Sequence, residues 1–434
     1  MANIRKKVFL SLLSCEENGR YANLEADAIL KREIQDERDK ALYTALLYGV
    51  IERKITLDYQ ISKLYSGNPD SLQLKVRILL RIGLYQLLYM NSIPAYAAVN
   101  ETVALAKATV NPGAAKLING ILRSALTALA ASNGKLSIKT PDRTRDICGY
   151  LSIFYGYPRY LCKLWISAYG EEMAEKLMEA QNRRPIITLR VNSLKTNREH
   201  YLAELIKAGI EASPSQLTDD GIILNGGNIT LLPGYSDGLF FVQDDAPRMA
   251  VSALSPRPGE TIIDACACPG GKSFASAIMM KNRGKILSMD IHASKLSLIS
   301  SGARRLGINI IEPSASDAAL FQKSLEKKAD RVLCDVPCSG FGTISKKPEL
   351  RHKAKSAVDA LPSLQYSILE NCSRYVRDYG VLMYSTCTLN PAENEEIVSS
   401  FLEQNKQFTL IEAKTNFPCD SLSDGFFHAL FKRN

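Results

Sequence analysis

The sequence predicts a multidomain protein with an all-α domain at the N-terminus, a small α+β extension after it, and a doubly wound α/β domain at the C-terminus. Three observations support this prediction. The 434 residues exceed the length of about 100 to 200 residues that one domain usually has. Apolar residues recur at helical spacing over roughly the first 130 residues, and from Pro256 short apolar runs alternate with helical segments. Hydrophobic residues make up 46% of the chain and charged residues 23%, which excludes a largely disordered protein.

The first domain, residues 1–135, is predicted to contain six or seven helices. Its apolar segments include KALYTALLYGVIERKI, LKVRILLRIGLYQLLYM and INGILRSALTALA, and each has the spacing of a helix that packs on one face. Turn-forming residues lie between the helical segments, at Gly67-Asn68-Pro69, Ser92-Ile93-Pro94 and Asn111-Pro112-Gly113. Ser132 to Pro141 is predicted to be the linker to the next part of the chain.

Most of the net charge of +9 belongs to this first part of the chain. Residues 1–140 carry 19 Lys and Arg against 12 Asp and Glu. A basic excess attracts anionic partners such as nucleic acids. The charge alone leaves a nucleic-acid-binding surface and an ordinary solvated surface equally open.

The start of the chain and the cysteines indicate a cytoplasmic protein. The N-terminal apolar run is broken early and ends in acidic residues, so we expect a helix and not a signal peptide. Arg81 interrupts the stretch RILLRIGLYQLLYM, which leaves no apolar run long enough to cross a membrane. The ten cysteines include no C-x-x-C pair, which disfavours a metal site and is typical of free thiols in a reducing compartment.

The extension, residues 145–240, and the C-terminal domain, residues 241–434, are predicted from changes in pattern. Two helical stretches lead to the β-branched segment PIITLRVNSLK, a helix and further strands. From residue 256 the apolar runs TIIDA, KILSMDI, INIIEPSASD, DRVLCDV and GVLMYST are predicted to form a parallel sheet. Ligands bind at the carboxyl ends of the strands in such sheets, so the residues after each run are the candidate site.

A glycine loop follows the first run and is predicted to bind a cofactor. Gly270 and Gly271 let the backbone approach a ligand closely, and the helix after them favours a negative group. The Walker A pattern requires a glycine where Cys266 stands, and no G-x-G-x-x-G is present, so nucleoside triphosphates and dinucleotides are disfavoured. The candidate cofactor-binding residues of this loop are Cys266, Ala267, Cys268, Pro269, Gly270, Gly271 and Lys272.

Acidic residues at the next strand ends favour an adenosine ligand without a phosphate chain. Asp290 closes the second run, where a carboxylate binds ribose hydroxyls in nucleotide-binding sheets. Asp317 ends the third run and is predicted to lie on the adenine side. The pattern therefore favours a ligand such as S-adenosylmethionine, which contains adenosine and has no phosphate chain.

Two cysteines follow the fourth and fifth runs. Cys338 lies in Asp335-Val336-Pro337-Cys338 and Cys387 in Ser385-Thr386-Cys387. Because adjacent strands would bring these loops together, we expect the two thiols to be neighbours. Cys334 and Cys372 are instead predicted to be buried small apolar residues.

Together, DACACPGGK, DVPCSG and YSTCTL closely resemble the RNA 5-methylcytosine methyltransferases with paired cysteines. The resemblance extends to FVQDDAPRMA, KKPEL, LPSLQYSIL and DGFFHALFKRN, and AAVNETVALAK and AKLINGILR are similar to NusB-type helical domains that bind RNA. It implies a Rossmann-like class I methyltransferase that uses S-adenosylmethionine. The combination with a NusB-like domain is similar to the bacterial members that modify small-subunit (16S) ribosomal RNA.

The same resemblance implies the role of each catalytic residue. Cys387 would add to carbon-6 of cytosine, Cys338 would assist release of the product, and Asp335 would bind the cytosine ring and lie near the methionine part of the cofactor. Apart from the resemblance, the positive charge of Lys272 would lower the thiol pKa of the nucleophile or orient the base, although an ammonium at the edge of a loop is equally often solvated. The family's RNA-binding extension implies phosphate contacts near the first strand of residues 145–240, for which Arg190, Lys195 and Arg198 are candidates.

The sequence departs from the family pattern at one position and leaves more than one function open. The family usually has Ala where this sequence has Cys268, which places a third thiol near the site. Pro337-Cys338 also satisfies the motif of DNA cytosine methyltransferases, but Cys387 and the NusB-like domain favour RNA. A non-catalytic RNA-binding or assembly factor stays open, as does a methyltransferase for tRNA or 23S ribosomal RNA. We expect a monomer that binds RNA and neither DNA nor membranes.

Overall fold

The computed structural model describes residues 4–20, 22–131 and 138–434. The chain divides into two compact units. The first unit comprises Met1–Asn182 together with Lys346–His352, and the second comprises Arg183–Ser345 together with Lys353–Asn434. The predicted linker Ser132 to Pro141 falls mostly outside the described residues, since 132–137 are not described, and residues 138–141 have no regular secondary structure.

Helices alone form the N-terminal part of the first unit, as predicted. Asp36 caps the third helix, where its carboxylate accepts hydrogen bonds from the amides of Arg38 and Asp39. Apolar side chains from these helices pack into one core, in which Leu46, Leu79 and others are fully buried. The helices in the described residues up to 131 are α1 (Ile4–Asn18), α2 (Ala22–Arg32), α3 (Glu37–Glu52), α4 (Lys54–Leu64), α5 (Leu74–Tyr89), α6 (Ala95–Thr109) and α7 (Pro112–Ala131).

Arg81 lies inside this helical core with its charge compensated. Its side chain is 3% exposed and donates from Nε and Nη2 to the two carboxylate oxygens of Asp58, at 2.6 and 2.8 Å. Nη1 donates to Glu16 at 2.8 Å. Within the described residues, no helix is both long and apolar enough to cross a bilayer.

Three further helices complete the first unit, one more than the two helical stretches that we predicted. The segment Lys346–His352 packs with them: Arg351 is fully buried, its guanidinium lies over the Tyr157 ring at 4.3 Å, and it donates to Asn182 at 3.0 Å. The helices are α8 (Ile147–Tyr155), α9 (Arg159–Tyr169) and α10 (Glu171–Ala180).

A small antiparallel sheet begins the second unit and confirms the predicted α+β extension. Its strand order is β2-β3-β1-β4. Leu189, Tyr201, Ile222 and Phe240 form its core. The elements are β1 (Ile187–Val191), α11 (Arg198–Lys207), β2 (Ala212–Pro214), β3 (Gly221–Leu224) and β4 (Phe240–Val242).

The phosphate-binding prediction for Arg190 is wrong. Its side chain is fully buried and donates to Asp245 at 2.6 Å and to Asp220 at 2.9 Å, so its charge is used inside the protein. Lys195 donates to the main-chain carbonyls of residues 237 and 305, and Arg198 to those of residues 215 and 218. All three side chains therefore make hydrogen bonds within the second unit.

A seven-stranded sheet of order β10-β11-β9-β8-β5-β6-β7 forms the rest of the second unit. The five predicted runs form its parallel strands, β5 to β9. The prediction of a wholly parallel sheet is corrected at one edge, where β11 pairs antiparallel with β9 and with β10. The strands are β5 (Thr261–Asp264), β6 (Lys285–Asp290), β7 (Ile311–Ala315), β8 (Ala329–Asp335), β9 (Val376–Thr386), β10 (Phe408–Asn416) and β11 (Phe426–Arg433).

Helices connect these strands and place the glycine loop. Gly270 has a φ of 111°, and a Cβ there would lie 2.6 Å from the Phe274 ring, so both conformation and space require glycine. The helices are α12 (Asp245–Leu254), α13 (Gly271–Met279), α14 (Leu296–Leu306), α15 (Lys355–Asp359), α16 (Leu361–Ser373) and α17 (Glu395–Gln404).

Candidate active site

The predicted site residues follow the carboxyl ends of the parallel strands. Asp264, Asp290 and Asp335 are the last residues of β5, β6 and β8, and Asp317 lies two residues beyond β7. β9 ends at residue 386, directly before the predicted nucleophile. Because parallel strands end at one edge of the sheet, the order β9-β8-β5-β6-β7 brings these loops to one edge.

The two cysteine thiols are neighbours, as expected. The Sγ atoms of Cys338 and Cys387 are 3.3 Å apart, and both residues are half-buried. Two features set this distance: β8 pairs with β9 up to Asp335 and Ser385, and the amide of Gly342 donates to the Cys387 carbonyl at 2.9 Å. The Cys387 thiol and burial raise the pKa of Cys338 above its ordinary value, so the folded structure favours the protonated form of the Cys338 thiol.

Lys272 and Asp335 form an ion pair in the same region. Lys272 Nζ lies 2.5 Å from one carboxylate oxygen of Asp335, and Ser385 Oγ donates to the other at 2.8 Å. The ammonium also lies 5.1 Å from the centre of the Phe426 ring. The Lys272 side chain is only 12% exposed, which excludes the simple solvated role that the sequence left open.

The glycine loop is held in place by Asp290. The carboxylate of Asp290 accepts hydrogen bonds from the amide of Cys268 at 3.2 Å and from the amide of His292 at 2.9 Å. Burial and the Asp290 carboxylate raise the pKa of the Cys268 thiol to about 11. A thiol is oxidised and alkylated mainly as its thiolate, so this departure from the usual Ala adds a weakly reactive group.

Asp264 supports the same loop from inside the sheet. Its Oδ2 accepts a hydrogen bond from Ser273 Oγ at 2.6 Å, and Ser273 contacts Ser288 at 2.7 Å. Burial raises the pKa of Asp264 from 3.8 to about 7. The folded state therefore favours the protonated acid.

This raised pKa predicts a loss of stability as the pH rises. The contribution of Asp264 is fully present below its unfolded pKa and is lost as the pH passes through its folded value near 7. Between pH 5 and pH 8 we expect the wild-type protein to lose about 2 to 3 kcal/mol more of unfolding free energy than Asp264→Asn, which cannot ionise. Urea unfolding at the two pH values measures the difference. Equal losses in the two proteins would contradict the raised pKa.

Sequence reasoning missed several polar residues around these loops. Gln243 lies beside the glycine loop, where a Cβ on Gly271 would be 3.3 Å from its amide nitrogen. Lys353 Nζ donates to the carbonyl of Cys338 at 3.1 Å. Glu393 is fully buried beside the cysteine loops. Cys334 and Cys372 are fully buried, as predicted. The only available signal for Gln243 was its place in FVQDDAPRMA, and for Glu393 its place soon after Cys387.

This fold and site define a methyltransferase domain on one chain with a helical domain and a small antiparallel sheet. Family models match all three parts. The model for 16S rRNA methyltransferase RsmB/F matches residues 251–432, the NusB family matches residues 2–127, and the ferredoxin-like domain of RsmF/B-like methyltransferases matches residues 157–229.

Curated relatives match nearly the whole chain. The probable ribosomal RNA small subunit methyltransferase B of Bacillus subtilis (strain 168) is 35% identical over 94% of this chain and 89% of the relative. The corresponding protein of Synechocystis sp. is 34% identical over all of both chains, and that of Serratia proteamaculans is 32% identical over 92% of each. The chain belongs to the family of ribosomal RNA small subunit methyltransferases B, within RsmB/F, which confirms the resemblance found in the sequence.

Solved structures share the architecture. The crystal structure of PH0851 aligns with a TM-score of 0.82 and 26% identity, covering 99% of this chain and 98% of that chain. NSun6 from Pyrococcus horikoshii, solved with SFG, aligns with a TM-score of 0.59 and 21% identity over 64% of this chain and 99% of its own. The predicted fold class is thus confirmed.

Proposed function

We propose that this protein transfers the methyl group of S-adenosylmethionine to carbon-5 of a cytosine in small-subunit ribosomal RNA, through a covalent adduct with Cys387. The observation that carries the proposal is the 3.3 Å approach of the Cys338 and Cys387 thiols at the ends of adjacent strands. The names of the curated relatives support ribosomal RNA as the substrate. Residues 241–434 would carry the reaction, and residues 1–135 and 145–240 would bind the RNA.

The residues around the glycine loop fit S-adenosylmethionine. Gln243 Oε1 and Asp264 Oδ1 are buried and have no hydrogen-bond partner among the described residues, which leaves polar atoms for a ligand. The loop from Cys266 to Lys272 would hold the cofactor together with Asp290 at the ribose and Asp317 on the adenine side. Asp335 would lie near its methionine part. When bound, S-adenosylmethionine supplies an electrophilic methyl group.

Cys387 would activate the base. Carbon-5 of cytosine is a weak nucleophile, and addition of a thiolate to carbon-6 gives an enamine in which carbon-5 becomes reactive. Asp335 would bind the ring and stabilise its protonated adduct. Lys272 and Ser385 hold the Asp335 carboxylate in place for this task, at 2.5 and 2.8 Å.

Cys338 would complete the reaction after the methyl group is in place. The Cys387 thiol is the largest cause of the raised pKa of Cys338, and this cause disappears when Cys387 is bonded to carbon-6. Cys338 can then lose its proton to solvent and accept the proton from carbon-5. Loss of that proton restores the double bond of the ring and expels the Cys387 thiolate.

The target cytosine must be single-stranded or flipped out of its helix, because a paired base exposes neither face of its ring to a thiol. Loops in RNA provide such bases, so we propose an RNA substrate and not DNA, bound by a monomer of the protein.

Incubation with labelled S-adenosylmethionine and unmodified small-subunit ribosomal RNA tests the function. We expect 5-methylcytosine at one position, mapped by nuclease digestion and mass spectrometry. Parallel reactions with 23S ribosomal RNA, tRNA and partly assembled subunits test the substrate. RNA binding without methyl transfer to any of these would overturn the proposal in favour of a binding or assembly factor.

A further inference from the structure

A buried carboxylate ties together the loops that carry the two cysteines. Glu393 lies in the short 3₁₀ turn Pro391–Glu393 after β9 and has no exposed surface. Its Oε2 accepts hydrogen bonds from the main-chain amide of Ser339 and from the side-chain amide of Gln365, both at 2.8 Å. Its Oε1 accepts from Asn390 at 2.9 Å. The amide that follows Cys338 is therefore fixed by a charged group.

The same network holds the other side of Cys338. Gln365 on α16 also donates to the carbonyl of Pro337, at 2.9 Å. Ser339 Oγ and Thr388 Oγ1 are 2.5 Å apart and bridge the two loops directly. Both residues that flank Cys338 in the chain are thus bound through Glu393 or its partner Gln365.

Charged groups of both signs lie near the Cys338 thiol. Cys387, Glu393 and Asp335 each raise the pKa of Cys338 in addition to its burial. Two cations lie nearby: Lys272 pairs with Asp335, and Lys353 donates to the Cys338 carbonyl. In the part of the chain that the structure describes, the side-chain carboxylate of Glu393 accepts hydrogen bonds from Ser339, Gln365 and Asn390, and these three donors are neutral.

We propose that Glu393 is a positioning residue that fixes the backbone on one side of Cys338 and places a negative charge near that thiol, so that Cys387 is the member of the pair that attacks the base. The inference rests on the proposed function for its catalytic meaning. The charge of Glu393 would also keep Cys338 basic once Cys387 is bonded, which suits its later role as proton acceptor. A burial role alone would not require a carboxylate, because an apolar side chain fills a core without desolvating a charge.

Alkylation of Cys338 tests the proposal without RNA or cofactor. In a Cys387→Ser background, the rate of iodoacetamide modification of Cys338 is followed against pH by peptide mass spectrometry. The pH at which the rate reaches half of its maximum is called the Cys338 midpoint. We expect Glu393→Gln to lower this midpoint and to raise the rate at pH 7.5 by about threefold or more, since the thiolate fraction changes tenfold per pKa unit. Glu396→Gln, which changes an exposed glutamate on α17, is the matched control and should leave the rate unchanged.

A second substitution keeps the test decisive if Glu393→Gln does not fold. Gln365→Met removes one donor from the carboxylate and leaves its charge less compensated, so we expect the Cys338 midpoint to rise. An unchanged midpoint in either folded variant overturns the proposal. With Cys387 restored, Glu393→Gln should lower kcat for methyl transfer and leave KM for RNA unchanged. Failure of methyl transfer in the wild type would refute the proposed function and would leave the alkylation result intact.

Discussion

Replacing Cys387 with Ala is expected to abolish methyl transfer and the covalent protein–RNA adduct together. The substitution removes the atom that bonds to carbon-6, and loss of a covalent nucleophile lowers turnover by at least about 10³-fold. RNA binding should persist, because Cys387 is one half-buried side chain in a large protein. Turnover is measured with labelled methyl donor and the adduct by denaturing gel electrophoresis.

Replacing Cys338 with Ala is expected to have the opposite effect on the adduct. Cys387 would still attack the base, and carbon-5 would still be methylated. The Cys338 thiol, 3.3 Å from the Cys387 thiol in the wild type, would no longer be there to accept the proton from carbon-5. The covalent complex should therefore accumulate. Cys419→Ser, at a cysteine far along the chain after β10, is the control for loss of a thiol. Equal loss of turnover in the two Ala variants, with an adduct in neither, would contradict the division of roles.

The parts of the site that sequence predicted depend on local pattern. A strand that ends in Asp264 or Asp335 is visible as an apolar run followed by an acidic residue, and the edge of the sheet follows from the alternation of strands and helices. The proximity of Cys338 and Cys387 then follows from strand adjacency alone. These inferences need no knowledge of which side chains are buried.

The parts that sequence missed depend on partners that are distant in the chain. The main-chain amide that Glu393 binds belongs to Ser339, 54 residues earlier in the chain. The sequence around Glu393 contains no pattern that predicts this contact. The antiparallel edge was missed for a similar reason. FFHALF in β11 is a continuous buried run, and such a run gives no direction, which is fixed only when it pairs with β9.

The ion-pair partners of Arg190, Asp220 and Asp245, are also distant in the chain and could not be predicted from the sequence. Replacing Arg190 with Met is expected to destabilise the second unit strongly. Asp220 would retain Arg248, at 2.7 Å. Among the described residues, Asp245 would keep neutral donors, such as the Thr218 hydroxyl at 2.6 Å. The Asp245 side chain is 4% exposed. Removing one partner of a buried ion pair costs about 3 to 5 kcal/mol, because the remaining charge is left uncompensated.

Urea unfolding, with hydrogen exchange in the peptides that contain β1 and α12, measures this loss. Lys195→Met is the matched control. The Lys195 ammonium is exposed, and its hydrogen bonds within the described ranges go to main-chain carbonyls, so we expect a much smaller change. Asp245→Asn in the Arg190→Met background should recover part of the stability, since it removes the unpaired charge and the two effects are coupled. A phosphate-binding role for Arg190 makes the contrary prediction, in which Arg190→Met weakens RNA binding and leaves the unfolding free energy unchanged. The depth of the guanidinium inside the protein, with no exposed surface, is the physical reason to expect the first result.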